Sequence, residues 1–207
     1  MSWSDFPTDS GATLVADSSV VINLNATGRA ADILSALGNP VVVPDSVRRE
    51  LKDGDRNGHG DADALEALIR SGHVRLVALG STAYGIYESL IDGSTEYTLD
   101  DGEAATVACA IDLSGVALID ERKALRLCSQ LFPGLAIVPT IALFLHAEVS
   151  KALGQAGQAD AVFGALQHAR MRVPPAFLPR AIALVGAERA RSCASIPRYA
   201  FREASAA

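Results

Sequence analysis

Five short apolar runs, each followed by a segment with helical spacing, constrain this chain more than anything else in it. The runs are TLVAD (13–17), PVVV (40–43), HVRLVAL (73–79), VALID (116–120) and LAIVP (135–139). Runs this short and rich in β-branched residues favour strands. The intervening AADILSAL, PDSVRRELK, DADALEALIRSG, STAYGIYESLIDG, DDGEAATVACAIDLSG and ERKALRLCSQLF suit helices. Strict strand–helix alternation implies parallel βαβ units with helices on both faces of one sheet. The chain therefore reads as an α/β domain over 13–139. Pro44 is placed to open PDSVRRELK, Gly38-Asn39 to close the preceding helix, and Ser81 or Thr82 to cap STAYGIYESLIDG.

After residue 139 the alternation stops. TIALFLHAEVSKALGQ, QADAVFGALQHARM and PPAFLPRAIALVGAERA read as three consecutive helices, an annex over 140–190 packed on the sheet domain. A polar N-terminal segment (1–12) and a loosely held tail (191–207) complete the organisation. With 207 residues, 49% of them hydrophobic, one domain plus an appendage has ample material for a core. No apolar run approaches the roughly 20 residues that span a bilayer. The polar opening MSWSDFPTDSG is unlike a secretory leader. Cys109, Cys128 and Cys193 lack CxxC spacing and fit reduced, buried thiols in a cytoplasmic protein.

Four acids stand where apolar runs give way to helices: Asp17, Glu50, Glu103 and Asp120. In an open α/β sheet such ends share one edge, so acids distant in sequence can meet in one pocket. Each also has a plain structural reading. Asp17 and Asp120 suit helix N-caps, and Glu50 lies beside Arg48, Arg49 and Lys52 as on a solvated, salt-bridging face. Asp100 and Glu103 have the spacing of a capping box. The joint pattern favours a site, because converging carboxylates repel one another unless a cation offsets them. Oxygen donors suit Mg2+ or Mn2+, and such an ion activates water against a phosphodiester.

Other chemistries find little support. There is no GxxxxGK[ST] loop and no GxGxxG after a strand. DGDRNGHGDAD (53–63) begins like a calcium loop, but Ala64 occupies the position that needs a bidentate Glu. His59, His73, His146 and His168 have no zinc-like spacing. Asp17-Ser18-Ser19 lacks the second Asp of an aspartyl-phosphate hydrolase. The net charge of −6 is unevenly spread: residues 1–121 hold seven basic and 20 acidic side chains, residues 122–207 eleven and four. Such asymmetry fits a polyanion partner or an acidic site.

With these residues in view, the chain resembles PIN-domain proteins. VADSSVVI resembles the family's opening strand–Asp–Ser/Thr signature, VPDSVRREL its helical Glu after a Val–Pro strand end, LDDGEAATVACA its GEA form of the third motif, and LIDERKALRL the fourth. The motifs cover 13–139, and PTIALFLHAEV with the helices after it resembles a C-terminal extension found in one subgroup. The resemblance implies a three-layer α/β/α fold around a parallel five-stranded sheet in the order 3-2-1-4-5. It also implies single-strand-specific, VapC-like ribonuclease activity with Mg2+ or Mn2+, an RNA substrate, and for many relatives a toxin role with an antitoxin partner and a homodimer.

Carried over by position, Asp17, Glu50, Glu103 and Asp120 would hold the metal or organise its water, with Ser18 and Ser19 in support. Glu103 is one methylene longer than the Asp of many relatives. Glu121 competes with Asp120 for the fourth place, and Asp101 is a further metal candidate. Arg48, Arg49, Lys52, Arg122, Lys123 and Arg126 are the candidates for contacting RNA, with Arg170, Arg172 and Arg180 extending the track on the annex. Two other readings stay open: a non-catalytic RNA-binding module, and a receiver-like or flavodoxin-like domain that would leave Glu50 and Glu103 without a task.

Overall fold

The structure, a computed structural model, describes residues 2–55, 60–92 and 97–203. His59 and the middle of the calcium-like loop lie outside the described residues. The elements run β1 (Leu14–Ala16), α1 (Ser18–Ala26), α2 (Ala30–Leu37), β2 (Val41–Pro44), α3 (Asp45–Asp55), α4 (Asp61–Arg70), β3 (Arg75–Val77), α5 (Ser81–Ile91), α6 (Asp101–Asp112), β4 (Val116–Leu118), α7 (Arg122–Leu131) and β5 (Ala136–Val138). The annex follows as α8 (Thr140–Phe144), α9 (Ala147–His168), a 3-10 turn (Pro175–Phe177), α10 (Leu178–Val185), α11 (Ala187–Ser192) and α12 (Ala200–Glu203).

All strands pair in parallel, in the order β3-β2-β1-β4-β5. Side chains alternate between the two faces, as the pleat requires. Leu14 and Ala16 of β1, Val41 and Val43 of β2 and Val138 of β5 face one apolar layer, built with α1, α2, α4 and the annex. Val15, Val42 and Ile137 face the other, built mainly by α6 and α7. The three-layer α/β/α architecture follows from strands that are apolar on both faces.

Several boundaries differ from the sequence reading. Pro44 closes β2, opposite Val77, instead of opening a helix. Gly80, not Ser81 or Thr82, is the N-cap of α5. The break expected between the first two annex helices is a kink at Gly154, whose φ of 69° interrupts α9. Neither terminal segment is free over its described part. Ser4 donates its N–H to Ile137 O at 2.9 Å beside the edge strand β5, and Cys193, Ile196 and Ala200 are buried against the annex. All three cysteines are unpaired and buried.

One close approach fixes the annex. A Cβ on Gly164 of α9 would stand 2.6 Å from the Ala26 carbonyl oxygen, so this position needs glycine for α9 to lie against the end of α1. No helix among the described residues is long and apolar enough to cross a membrane.

Candidate active site

The strand order reverses at β1, whose neighbours are β2 on one side and β4 on the other. Ligands of open α/β sheets gather beyond the strand ends at such a switch point. Asp17 follows β1 directly and Asp120 lies two residues past β4, so the two flank that crevice. The first turn of α6 brings Glu103 and the middle of α3 brings Glu50. All four line one cavity of about 340 Å3, together with Ser18, Ser19 and Glu121.

Each carboxylate is held differently. Asp17 caps α1, accepting from Val20 N–H and Ser19 Oγ–H at 2.9 Å each on Oδ1. Its Oδ2 makes no hydrogen bond to the described residues. Asp120 is not a helix cap. Its Oδ1 accepts from Thr140 N–H at 2.8 Å, and its Oδ2 from Thr140 Oγ–H at 2.6 Å and Asn23 Nδ2–H at 2.8 Å. Glu103 closes half of a capping box, its carboxylate accepting from Asp100 N–H. Asp100 returns no side-chain bond. Glu50 accepts from Ser18 Oγ–H at 3.0 Å, and its carboxylate lies against Gly102.

Burial and mutual repulsion act together here. Burial, then the neighbouring Asp120, push Asp17 up to about 8. Burial pushes Glu103 up to about 7 against the bond from Asp100 N–H. Asp120 rises to about 6, again by burial, restrained by the donors on Thr140 and Asn23. Near neutral pH these groups compete for protons, the condition in which a cation is most welcome. The donors are all oxygen, the kind a hard cation takes. Among the described residues no three acidic, His or Cys side chains converge tightly enough to enclose a bare ion. The oxygen donors suit a hard divalent cation that completes its coordination with water.

Not every candidate from the sequence reaches the cavity. Asp101 is turned away, its carboxylate accepting from Tyr87 Oη–H of α5, and Asp100 lines the cavity in its place. Glu121 lines the cavity but is ion-paired with Arg172. Arg48 is committed to Glu66 of α4 at 2.5 Å, with Lys52 at 3.3 Å from the same carboxylate. Both line a separate groove with Arg49, Tyr84 and Tyr87. Lys123 lowers the pKa of Glu103 and so acts on the site, whereas Arg126 is exposed and lines neither cavity. From the annex, Arg170, Met171 and Arg172 form a wall of the acidic cavity, while Arg180 turns to the Leu145 carbonyl.

The DUF3368 family, described as a PIN domain, matches residues 13–187. The chain belongs to this PIN-domain family. No curated protein matches it. The match runs through the annex as well as the sheet, so positions 170–172 fall within the matched span. A PIN domain is a nuclease-like fold, and here Asp17 and Asp120 meet where its strand order reverses.

Asn23 and Thr140 were missed by sequence reasoning, and both bond Asp120. Asn23 is buried on α1 at 4% exposure amid VVINL, and a buried amide demands partners. That polar residue in an apolar run was the available signal. Two histidines have structural roles: His73 bonds Ser35 and Ser71, and His146 caps α9.

Proposed function

We propose that this protein is a metal-dependent endoribonuclease that hydrolyses RNA phosphodiesters with Mg2+ or Mn2+. The observation that carries the reading is the meeting of Asp17, Glu103 and Asp120 in one cavity at the switch point, with all three pKa values raised. Asp17, Glu103 and Asp120 would hold the ion. Bound there, the cation supplies Lewis acidity and lowers the pKa of water. Ser19 and Val20 N–H aim Asp17 so that its Oδ2 stays available, and Thr140 with Asn23 fixes the Asp120 carboxylate. Glu50, steadied by Ser18 and lining the same cavity, would order water there. Arg170, Arg172 and Lys123 offset the charge of a phosphate entering an acidic pocket.

The deciding experiment pairs Mn2+ calorimetry with RNA cleavage for wild type, Asp17→Asn and Asp120→Asn. Binding and cleavage lost together in folded variants support the proposal. Undiminished cleavage in either variant would overturn it.

A second reading, an RNA-binding module without turnover, draws on Arg170 and Arg172 in the cavity wall instead of on the acids. That reading expects RNA binding that survives both substitutions and no cleavage at any metal concentration.

A further inference from the structure

A smaller groove of about 210 Å3 adjoins the acidic cavity and shares Asp120 and Arg172 with it. Trp3, Tyr199, Arg122 and Pro174 form its other walls. Trp3 precedes the family-matched span and Tyr199 follows it, so the groove is completed by segments outside that span.

Both segments are anchored. Ser4 donates its N–H to Ile137 O at 2.9 Å and accepts from Ile137 N–H on Oγ at 3.1 Å, pinning the N-terminal segment to β5. Trp3 packs, half-buried, on the apolar layer formed by α6 and α7. At the other end Ile196 and Ala200 are buried on either side of Tyr199, which keeps 53% of its surface exposed. Arg122 makes no ion pair with the described residues.

Two aromatic rings and an uncommitted guanidinium beside a carboxylate pocket are the parts of a stacking platform for single-stranded nucleic acid. Rings take base faces and cations take the backbone. The groove is small, with room for one planar base and none for a protein helix. We infer that it holds an unpaired nucleotide adjacent to the scissile phosphate of single-stranded RNA, its base on Trp3 and Tyr199 and its phosphate toward Arg122. This rests on the ribonuclease reading above. Arg172, lining both cavities, stands where the strand crosses from one to the other.

Trp3 is the sole tryptophan of the chain, so its fluorescence reports on the groove. The full chain is titrated, without added metal, with a single-stranded oligoribonucleotide, and cleavage of the same strand with Mn2+ is measured in parallel. Saturable quenching is expected, absent with a duplex, with binding about ten-fold or more weaker in Tyr199→Ala. Arg122→Ala is expected to weaken binding as well. Quenching that depends on Tyr199, with no cleavage under any metal, keeps the subsite and sinks the nuclease. Cleavage without quenching, or with affinity unchanged in both variants, overturns the subsite and leaves the nuclease standing. Quenching by a proline-rich peptide but not by RNA makes this a protein-docking groove and also overturns it.

Discussion

Glu50 Oε2 lies 2.5 Å from the point where a Cβ on Gly102 would stand, so the glycine of α6 sets where the carboxylate of α3 can rest. The φ of Gly102 is not positive, and alanine is otherwise a better helix residue by up to about 1 kcal/mol. Stability and positioning therefore pull in opposite directions. Gly102→Ala should fold at least as well as wild type by thermal melting, because the flexible Glu50 side chain can swing away. Its cleavage rate should nevertheless fall about ten-fold or more, since small misplacements near reacting groups are costly. A stable variant with full activity would remove Glu50 from the site.

Asp17 links the site to pH. Its pKa rises on folding from 3.8 to about 8, so between those values the folded state binds more protons than the unfolded state. Stability of the metal-free protein must then decline as pH rises through that window. Asp17→Asn should flatten the decline and stabilise the metal-free protein at pH 8 by on the order of a few kcal/mol. Adding Mn2+ at that pH should raise the melting temperature of wild type far more than that of the variant. Equal pH profiles for the two proteins would show that Asp17 ionises freely.

Thr140 supplies two of the three donors to Asp120. Thr140→Val keeps the N–H and the shape while removing the hydroxyl, at a cost of about 1–3 kcal/mol for an exchanged buried bond. Losing a donor to the charged form should also raise the pKa of Asp120 further and weaken Mn2+ binding roughly 10–100-fold. Calorimetry across pH checks both effects. Unchanged affinity would mean that Asp120 does not hold the ion.

Arg170 adopts φ 53°, a left-handed conformation that favours glycine, as the chain leaves α9. Arg170→Gly should preserve or slightly raise the melting temperature. It also deletes a cation from the cavity wall, so RNA affinity should drop and its salt dependence become shallower. An unaltered salt slope would place Arg170 outside the path of the RNA.

The sheet was legible because its signal is local: β-branched runs of strand length alternating with helical segments admit few topologies. The family resemblance supplied the strand order. The residues that line the cavity were partly legible for the same reason, since Asp17 and Asp120 end adjacent strands. What escaped was tertiary or a matter of helical phase. Asn23 and Thr140 reach Asp120 across 97 and 20 residues of sequence, and no spacing rule announces such a partnership. Asp100 and Asp101 differ by one step at a helix start, which sends one into the cavity and the other to Tyr87. Arg48 looked available for RNA because its partner, Glu66, is supplied by another helix.

The seating of Gly164 on the Ala26 carbonyl has a consequence for anyone seeking a minimal enzyme. It ties α9 to the very helix that Asp17 begins, and the end of α9 leads into Arg170, Met171 and Arg172 beside the same carboxylates. A chain stopped after β5 would retain every acid of the cavity yet lack Thr140 and that opposing wall. The annex is thus less an accessory than the second jaw of a vice, and the acids alone, grafted onto another sheet, would have nothing to close against.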